Sequence, residues 1–516
     1  MDKAFRRDGR SGLAARILES VARDALAACD PAEAVRRGVT VRAGRLLVCG
    51  RPVGLEPRGR LLVVAYGKAA AGMLAGFLRR VIDAGGRRTV QALAVAPHEA
   101  AAAAGRDRGG RGKTRRNHRA GAAPPARRRP PEPPIVPETP GARFRLAGLR
   151  GNHPVPGRDS FAAGRRAHQI LARTGEADDV VFLASGGGSS VLAAPLMPYL
   201  TPAEKGALHA ALLVSGAPIS AMNVVRKHLS AVKGGRLAVT AHRARSQATL
   251  VLCDVDPDRY PDVASGPSLP DRSTLDDFVR IVDRYGLAPS LPARVLEALH
   301  AGRLPETPKP RDPAFRRSRA EMILANKDLR NAAVRAGLGR GLPAEAVFTE
   351  LAGDIVTAVE TVARAIETAP PGTRLLVLGG EVLTQPSGPG VGGRAQEFAL
   401  RLTLRMSGLG SRPWAFLAIG SDGIDGNSPA AGAFADQGTL GRAKAAELDP
   451  GRALRDSDSH RFFHKLGDDL VTGPTGTNVR DLYLLLTGPP EAALRSTDPF
   501  RAGSADRPPW PPEPES

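Results

Sequence analysis

At 516 residues the chain is too long for one typical domain, and its 42% hydrophobic residues can fill a sizeable core, with Ala, Val and Leu doing most of the packing because aromatics make up only 4%. Cys29, Cys49 and Cys253 show no metal-ligand spacing and are too few for a disulfide framework, which fits a reducing compartment and an expected cytoplasmic location. The formal charge of +21 invites a nucleic-acid reading, but ten basic residues against Asp107 alone between Arg106 and Arg129 supply nine of those charges, and no aromatic side chains interleave with them. Neither nucleic acid nor a membrane is an expected partner, since no window offers about 18 consecutive apolar residues.

In chain order, the start mixes Asp2, Asp8 and Glu19 with Arg6, Arg7 and Arg10 and has no uninterrupted apolar core of the secretory kind. Helical patterns are predicted over Gly12–Ala28, Ala69–Ile82, Ser160–Ala172, Ala203–Val214, Thr274–Tyr285, Asp354–Ile366, Gln396–Met406 and Ser459–Leu466. Short apolar runs between them predict strands over Leu61–Tyr66, Val90–Ala96, Val180–Ala184, Thr249–Asp254, Ala320–Ala325, Ala346–Thr349, Arg374–Leu378 and Trp414–Ile419. Continuous apolar strands between helices predict parallel strands covered on both faces, hence an α/β fold with sites at the carboxyl ends of strands. Residues 100 to about 142 are rich in Ala, Arg, Gly and Pro and are expected to be a disordered insert. Residues 303–317 read as a linker, and residues 489–516 as a floppy tail. The expected domains are therefore 12–302 and 318–488.

The chemistry-bearing motifs sit where strands end. Ser185-Gly186-Gly187-Gly188-Ser189-Ser190 follows a strand, and such glycines let several backbone N–H groups approach one anion. A tight turn without a ligand explains one such run as well. Lys68, just past the first strong strand, puts a lone ammonium where phosphoryl transfer needs one. Asp254, Glu381, Asp422 and Asp425 are carboxylates after strands; Mg²⁺ on a nucleotide needs one or two of these, and each is as readily a turn or cap residue. Gly392-Gly393-Arg394 before a helix, and Gly473-Pro474-Thr475-Gly476-Thr477-Asn478 after a short strand, present further donors. The basic run Arg226-Lys227-His228 with Lys233 holds anions or forms a solvated helix face. Neither a P-loop nor a dinucleotide fingerprint occurs.

Taken in order, the segments VAYGKAAAGM (64–73), GNHPVPG (151–157), LASGGGSSVLAAP (183–195), SGAPISAMNVVRKHLSAVKGGRLA (215–238), CDVDPDRYPDVASGPSLPD (253–271), GGEVL (379–383), VGGRAQEFAL (391–400), IGSDGIDGNSPAAGAFAD (419–436) and TGPTGTNVRDL (472–482) resemble the glycerate 2-kinase family with a MOFRL-type C-terminal domain, whose members often bear the older name hydroxypyruvate reductase. The resemblance implies ATP-dependent phosphorylation of the 2-hydroxyl of D-glycerate to 2-phosphoglycerate. It implies a larger Rossmann-like N-terminal domain, a smaller α/β C-terminal domain and an active site in the cleft between them. It implies catalytic roles for Lys68 and Arg394 and a place in the active-site cleft for Asp254, Glu381 and Asn478; read with the donor-rich loop and turn, substrate or nucleotide binding is expected at Ser185, Gly186, Gly187, Gly188, Ser189, Glu381, Thr477 and Asn478. Asp254 is the candidate metal ligand, with ATP and Mg²⁺ as cofactors and a homodimer as the oligomeric expectation. The chain departs from the family at Ala395, where Asn is common, and in carrying the Arg/Pro insert. The rival readings are an NAD(P)H-dependent hydroxypyruvate reductase and a non-catalytic protein whose basic insert recruits an acidic partner.

Overall fold

The computed structural model describes residues 12–42, 45–53, 59–85, 89–98, 143–347, 350–407 and 412–491. The Arg/Pro-rich segment of about 100–142 and all but three residues of the tail 489–516 lie outside the described residues. Two large sheets carry the structure, beside a small antiparallel sheet of Val39–Arg42, Arg45–Val48 and Arg51–Val53.

The first sheet contains β1 (Arg60–Tyr66), β2 (Thr89–Pro97), β3 (Arg143–Gly151), β4 (Asp179–Ala184), β5 (Ser246–Leu252) and β6 (Ser318–Leu324). All its neighbours pair in parallel, in the spatial order β3-β2-β1-β4-β5-β6. This is the order of a doubly wound sheet, whose direction of winding reverses between β1 and β4 and opens a crevice at their carboxyl ends. Both faces of β1 are buried, as its unbroken apolar run requires. Leu61, Val63 and Ala65 pack with Met73 and Phe77 of helix α2 (Ala70–Asp83). Leu62, Val64 and Tyr66 pack on the other side with Ala163, Ala167 and Ile170 of α3 (Arg158–Leu171).

The second sheet corrects the expectation of parallel strands. It contains β7 (Ala344–Ala346), β8 (Leu351–Asp354), β9 (Arg374–Leu383), β10 (Trp414–Gly420), β11 (Gly432–Asp436), β12 (Asp469–Leu470) and β13 (Asp481–Thr487). The main order is β7-β9-β13-β10-β11-β12, with β8 also beside β9. Only β7 and β8 run parallel to β9; the pairs β9–β13, β13–β10, β10–β11 and β11–β12 are antiparallel. An apolar run reports burial on two faces, not strand direction. One face is covered by α5 (Ile355–Glu367) and α6 (Arg394–Arg405), where Phe398 packs with tilted rings at centroid distances of 5.2 Å from Phe416 and 5.0 Å from Tyr483. The other face is covered by α1 (Leu13–Ala28) and α4 (Asn326–Leu338), and shares one continuous core with the first sheet. Helix α1 is thus the first described element in the chain and packs on the last sheet; Asp24 and Ser20 hold Arg340 just past α4 at 2.6 and 2.8 Å.

Candidate active site

The switch point between β1 and β4 is sewn shut by its own backbone. Lys68 N–H donates to the Gly186 carbonyl at 2.8 Å, Ser185 N–H to the Tyr66 carbonyl at 3.0 Å, and Ala69 N–H to Ser185 Oγ at 3.1 Å. Gly67 has φ +109°, and a Cβ there would lie 2.3 Å from the Ser185 carbonyl oxygen, so a side chain fits neither the conformation nor the space. The loop Ser185–Ser190 is thereby fixed beside Lys68. Gly187, at φ +78°, turns it into a short helix. Ser189 Oγ meets Ser265 Oγ at 2.6 Å, and Ser265 in turn donates to Asn223 Oδ1 at 2.9 Å.

Loops of the second sheet close on this crevice. Asp422, after β10, pairs with Lys68 Nζ at 2.5 Å. Asn478 Nδ2, before β13, reaches 3.4 Å from Oδ2 of Asp254, which follows β5. Gly186 lies between them: a Cβ on it would stand 2.0 Å from Asp254 Oδ2 and 2.7 Å from Asn478 Nδ2. Burial, reinforced by the charge of Glu381, pushes the Asp254 carboxyl up to about 7 against the pull of Lys68. Asp254 Oδ1 and Thr477 Oγ1 are buried and find no hydrogen-bond partner among the described residues, two polar atoms left for a guest. His153 stands on the same wall, its ring 3.6 Å from the position a Gly187 Cβ would take. Desolvation on the side the loops cover, then the Lys68 charge, push its imidazole down to about 4, a pull tempered by solvent because the residue as a whole is exposed.

Arg394 enters from the first turn of α6. Its guanidinium is bidentate on Asp481, Nε to Oδ2 at 2.6 Å and Nη2 to Oδ1 at 3.0 Å, and Nη1 donates to Glu381 Oε1. Tyr483 donates its hydroxyl to Asp481 Oδ2 at 3.1 Å, so the partner that aims Arg394 is itself held. Burial raises the Asp481 carboxyl above the ordinary carboxylate range, with Arg394 opposing the rise. Asp425 has a different task from Asp422. It accepts from the N–H groups of Ala395 at 3.0 Å and Gln396 at 2.9 Å and from Gln396 Nε2 at 2.9 Å, capping α6 from a neighbouring loop. The Ala395 side chain is fully buried in the core with Phe398.

The basic run is held by internal partners. Lys227 pairs with Asp262 at 2.5 Å and Asp271 at 3.0 Å, and Arg236 Nε donates to the Ser230 carbonyl at 2.7 Å. Lys233 Nζ supports the glycine loop from beneath, donating to the Gly188 carbonyl at 2.9 Å and the Ala264 carbonyl at 3.1 Å. Lys68, Ser185–Ser189, Asp254 and Asn478 therefore lie along one connected set of contacts, Thr477 adjoins Asn478 in the chain, and the Glu381–Arg394 pair reaches them through the charge that Glu381 exerts on Asp254. Sequence reasoning missed Asp481 and His153. His153 was within reach as the one ionisable side chain of GNHPVPG; Asp481 was signalled by the apolar run Leu482–Leu486 that follows it and marks a strand.

A family described as a domain of unknown function (DUF4147) matches residues 17–300, and the MOFRL family matches residues 374–481. The chain is 36% identical to the D-glycerate 2-kinase of Thermotoga maritima over 64% of this chain and 78% of that one. It is 38% identical to an Agrobacterium vitis protein provisionally named hydroxypyruvate reductase, over 68% of this chain and 78% of the relative. Among solved structures, a glycerate kinase from Thermotoga maritima superposes with a TM-score of 0.68 at 29% identity, covering 91% of this chain and 98% of that one.

Proposed function

The chain belongs to the glycerate 2-kinase family, and from that membership we propose that it transfers the γ-phosphoryl group of ATP to the 2-hydroxyl of D-glycerate, giving 2-phosphoglycerate. The observation that carries the reading is the meeting of Lys68, the glycine loop and Asp254, from the carboxyl edge of one sheet, with Asp422 and Asn478 from the other, where the charge of Glu381, the partner of Arg394, is also felt at Asp254. Charge stabilisation and positioning are most of what phosphoryl transfer asks of a protein. In this reading the first sheet is the Rossmann-like part, which reaches past the expected boundary at 302 because β6 (Ser318–Leu324) pairs with β5 instead of opening the second unit, and the second sheet, Ala344 to Thr487, is the MOFRL-type part. The active site is the cleft between them.

The roles follow from the contacts. Lys68 and Arg394 neutralise charge on the transferring group, each waiting on a carboxylate that keeps it extended. Gly186, Gly187 and Ser189 offer the loop's donors to phosphate or carboxylate oxygens, whereas Ser185 and Gly188 shape the loop, the Ser185 N–H and hydroxyl donating to the Tyr66 carbonyl and the Gly188 N–H to the Ser185 carbonyl; Thr477 and Asn478 face the same oxygens from the opposite wall. Asp254, half-buried, and Glu381, with more than a third of its side chain open to solvent, offer carboxylate oxygens that suit a hard cation and would hold Mg²⁺. The ion, when bound with the nucleotide, supplies positive charge to the phosphate oxygens. The neutral His153 imidazole can accept a proton on the same wall. Three free cysteines fit a cytoplasmic enzyme. Exposed Leu213, Val214 and Ile219, close together in the chain, offer an apolar surface for a homodimer.

The pH profile tests this assignment. The Asp254 carboxyl ionises only near 7 in the free enzyme, and the ionised form is the one that binds a cation. At low Mg²⁺, kcat/KM for D-glycerate is therefore expected to fall as pH drops below about 7, and higher Mg²⁺ should shift that acid limb to lower pH. An acid limb that stays fixed while Mg²⁺ is raised would remove Asp254 as the ligand.

A further inference from the structure

Away from the cleft, helix α7 (Ser459–Leu466) places His460 and His464 four residues apart, hence on one face. Their rings lie 5.5 Å apart between centroids. Asp469, at the start of β12, comes up against them, with Oδ2 3.1 Å from His464 Nδ1. One ligand atom from each of the three residues lies within 4.8 Å of the others. Among the described residues this is the one such group of three His, Cys, Asp or Glu side chains. We propose that His460, His464 and Asp469 form a binding site for a divalent transition-metal ion of the zinc class.

The ligand chemistry fits such an ion. Two imidazoles and one carboxylate are a set that Zn²⁺ accepts, leaving one position for water. Mg²⁺ and Ca²⁺ prefer oxygen donors throughout, so the Mg²⁺ of the nucleotide site does not compete on equal terms. The surroundings are built like those of a ligand histidine. Nδ1 of His460 stands 3.1 Å from Gln396 Oε1; with its proton directed there, Nε2 keeps the lone pair that coordinates. Gln396 is itself fixed, donating from Nε2 to Asp425 Oδ2 at 2.9 Å and to Ser428 Oγ at 2.8 Å. Asp469 is buried, which holds its carboxylate against the helix, while His464 is exposed and leaves the ion a path from solvent.

The position gives the ion a task. Asp425 caps the turn of α6 that carries Arg394, and Gln396 joins that cap to His460. An ion bridging α7 and β12 fixes the outer end of this chain of contacts. The proposal is independent of the kinase reading, since the ligand set stands on its own geometry whatever the cleft phosphorylates.

The test is a titration of the untagged full-length protein with Zn²⁺ against a chromophoric chelator, with His464→Ala and Asp469→Asn alongside. His464→Ala removes an exposed side chain, so its fold can be verified by an unchanged melting temperature in the absence of metal. One Zn²⁺ per chain is expected, and each variant should bind at least tenfold to a hundredfold more weakly, since loss of a ligand costs no less than loss of a group behind it. X-ray absorption should show two imidazole nitrogens at about 2.0 Å. Substoichiometric binding, or affinity unchanged in both variants, would overturn the site.

Discussion

Arg394→Ala is expected to lose turnover and stability together. Among the described residues the guanidinium is the one partner that pairs both oxygens of Asp481, whose side chain is 2% exposed. Removing it strands a carboxylate in the interior of the second sheet beside Tyr483. Breaking a buried pair from one side costs about 3–5 kcal/mol. A third of the Arg394 side chain reaches solvent, so the lower end, about 3 kcal/mol, is expected here. Turnover should fall by roughly a thousandfold or more, the contribution of a single arginine to a transferring phosphoryl group. Adding Asp481→Asn separates the two effects. It should restore much of the melting temperature and none of the activity, because the coupling lies in the stranded charge. Equal losses of stability in the single and double variants would show that Asp481 is not what Arg394 holds.

Lys68→Ala should behave differently, though it sits in the same site. Its pair with Asp422 is partly open to water, with side chains 27% and 16% exposed. Such a pair stabilises by about 1 kcal/mol or less, so the melting temperature should hardly move. Turnover should still drop by roughly a thousandfold, because Lys68 supplies charge to the phosphate oxygens. Lys68→Arg is not expected to rescue it, since a planar fork cannot replace a compact ammonium on the tight turn after Gly67. Near-normal turnover in a folded Lys68→Ala protein would remove the residue from the mechanism.

The contrast between these two residues explains what the sequence could disclose. Lys68 and the glycine loop were legible because they follow strands whose apolar runs are unbroken, and a parallel sheet exposes such positions at one edge. The doubly wound half of the fold was legible for the same reason, apart from β3, whose alternation of Arg143 and Arg145 with Phe144 and Leu146 hides a strand at the sheet edge. The second sheet was misread as parallel. Its middle strand, β13, went unrecognised in Leu482–Leu486, and with it Asp481, the residue that aims Arg394. Asp422 and Asp425 show the same limit at smaller scale. Three residues apart in one loop, they differ completely in use: one faces Lys68, and the other caps α6. Spacing gives carboxylates in a turn, but only the approach of other segments decides which meets a charge. Ala395 belongs here too. As a departure from the family it invites a question about substrate contact, yet its side chain is sealed in the core while its N–H serves the cap.

The most direct measurement is ³¹P NMR of the product formed from ATP, Mg²⁺ and D-glycerate. A new resonance identical to that of authentic 2-phosphoglycerate, absent with Lys68→Ala, is the predicted result. Phosphate on the 3-hydroxyl, or no transfer by the folded protein while NADH is consumed with hydroxypyruvate, would contradict the account.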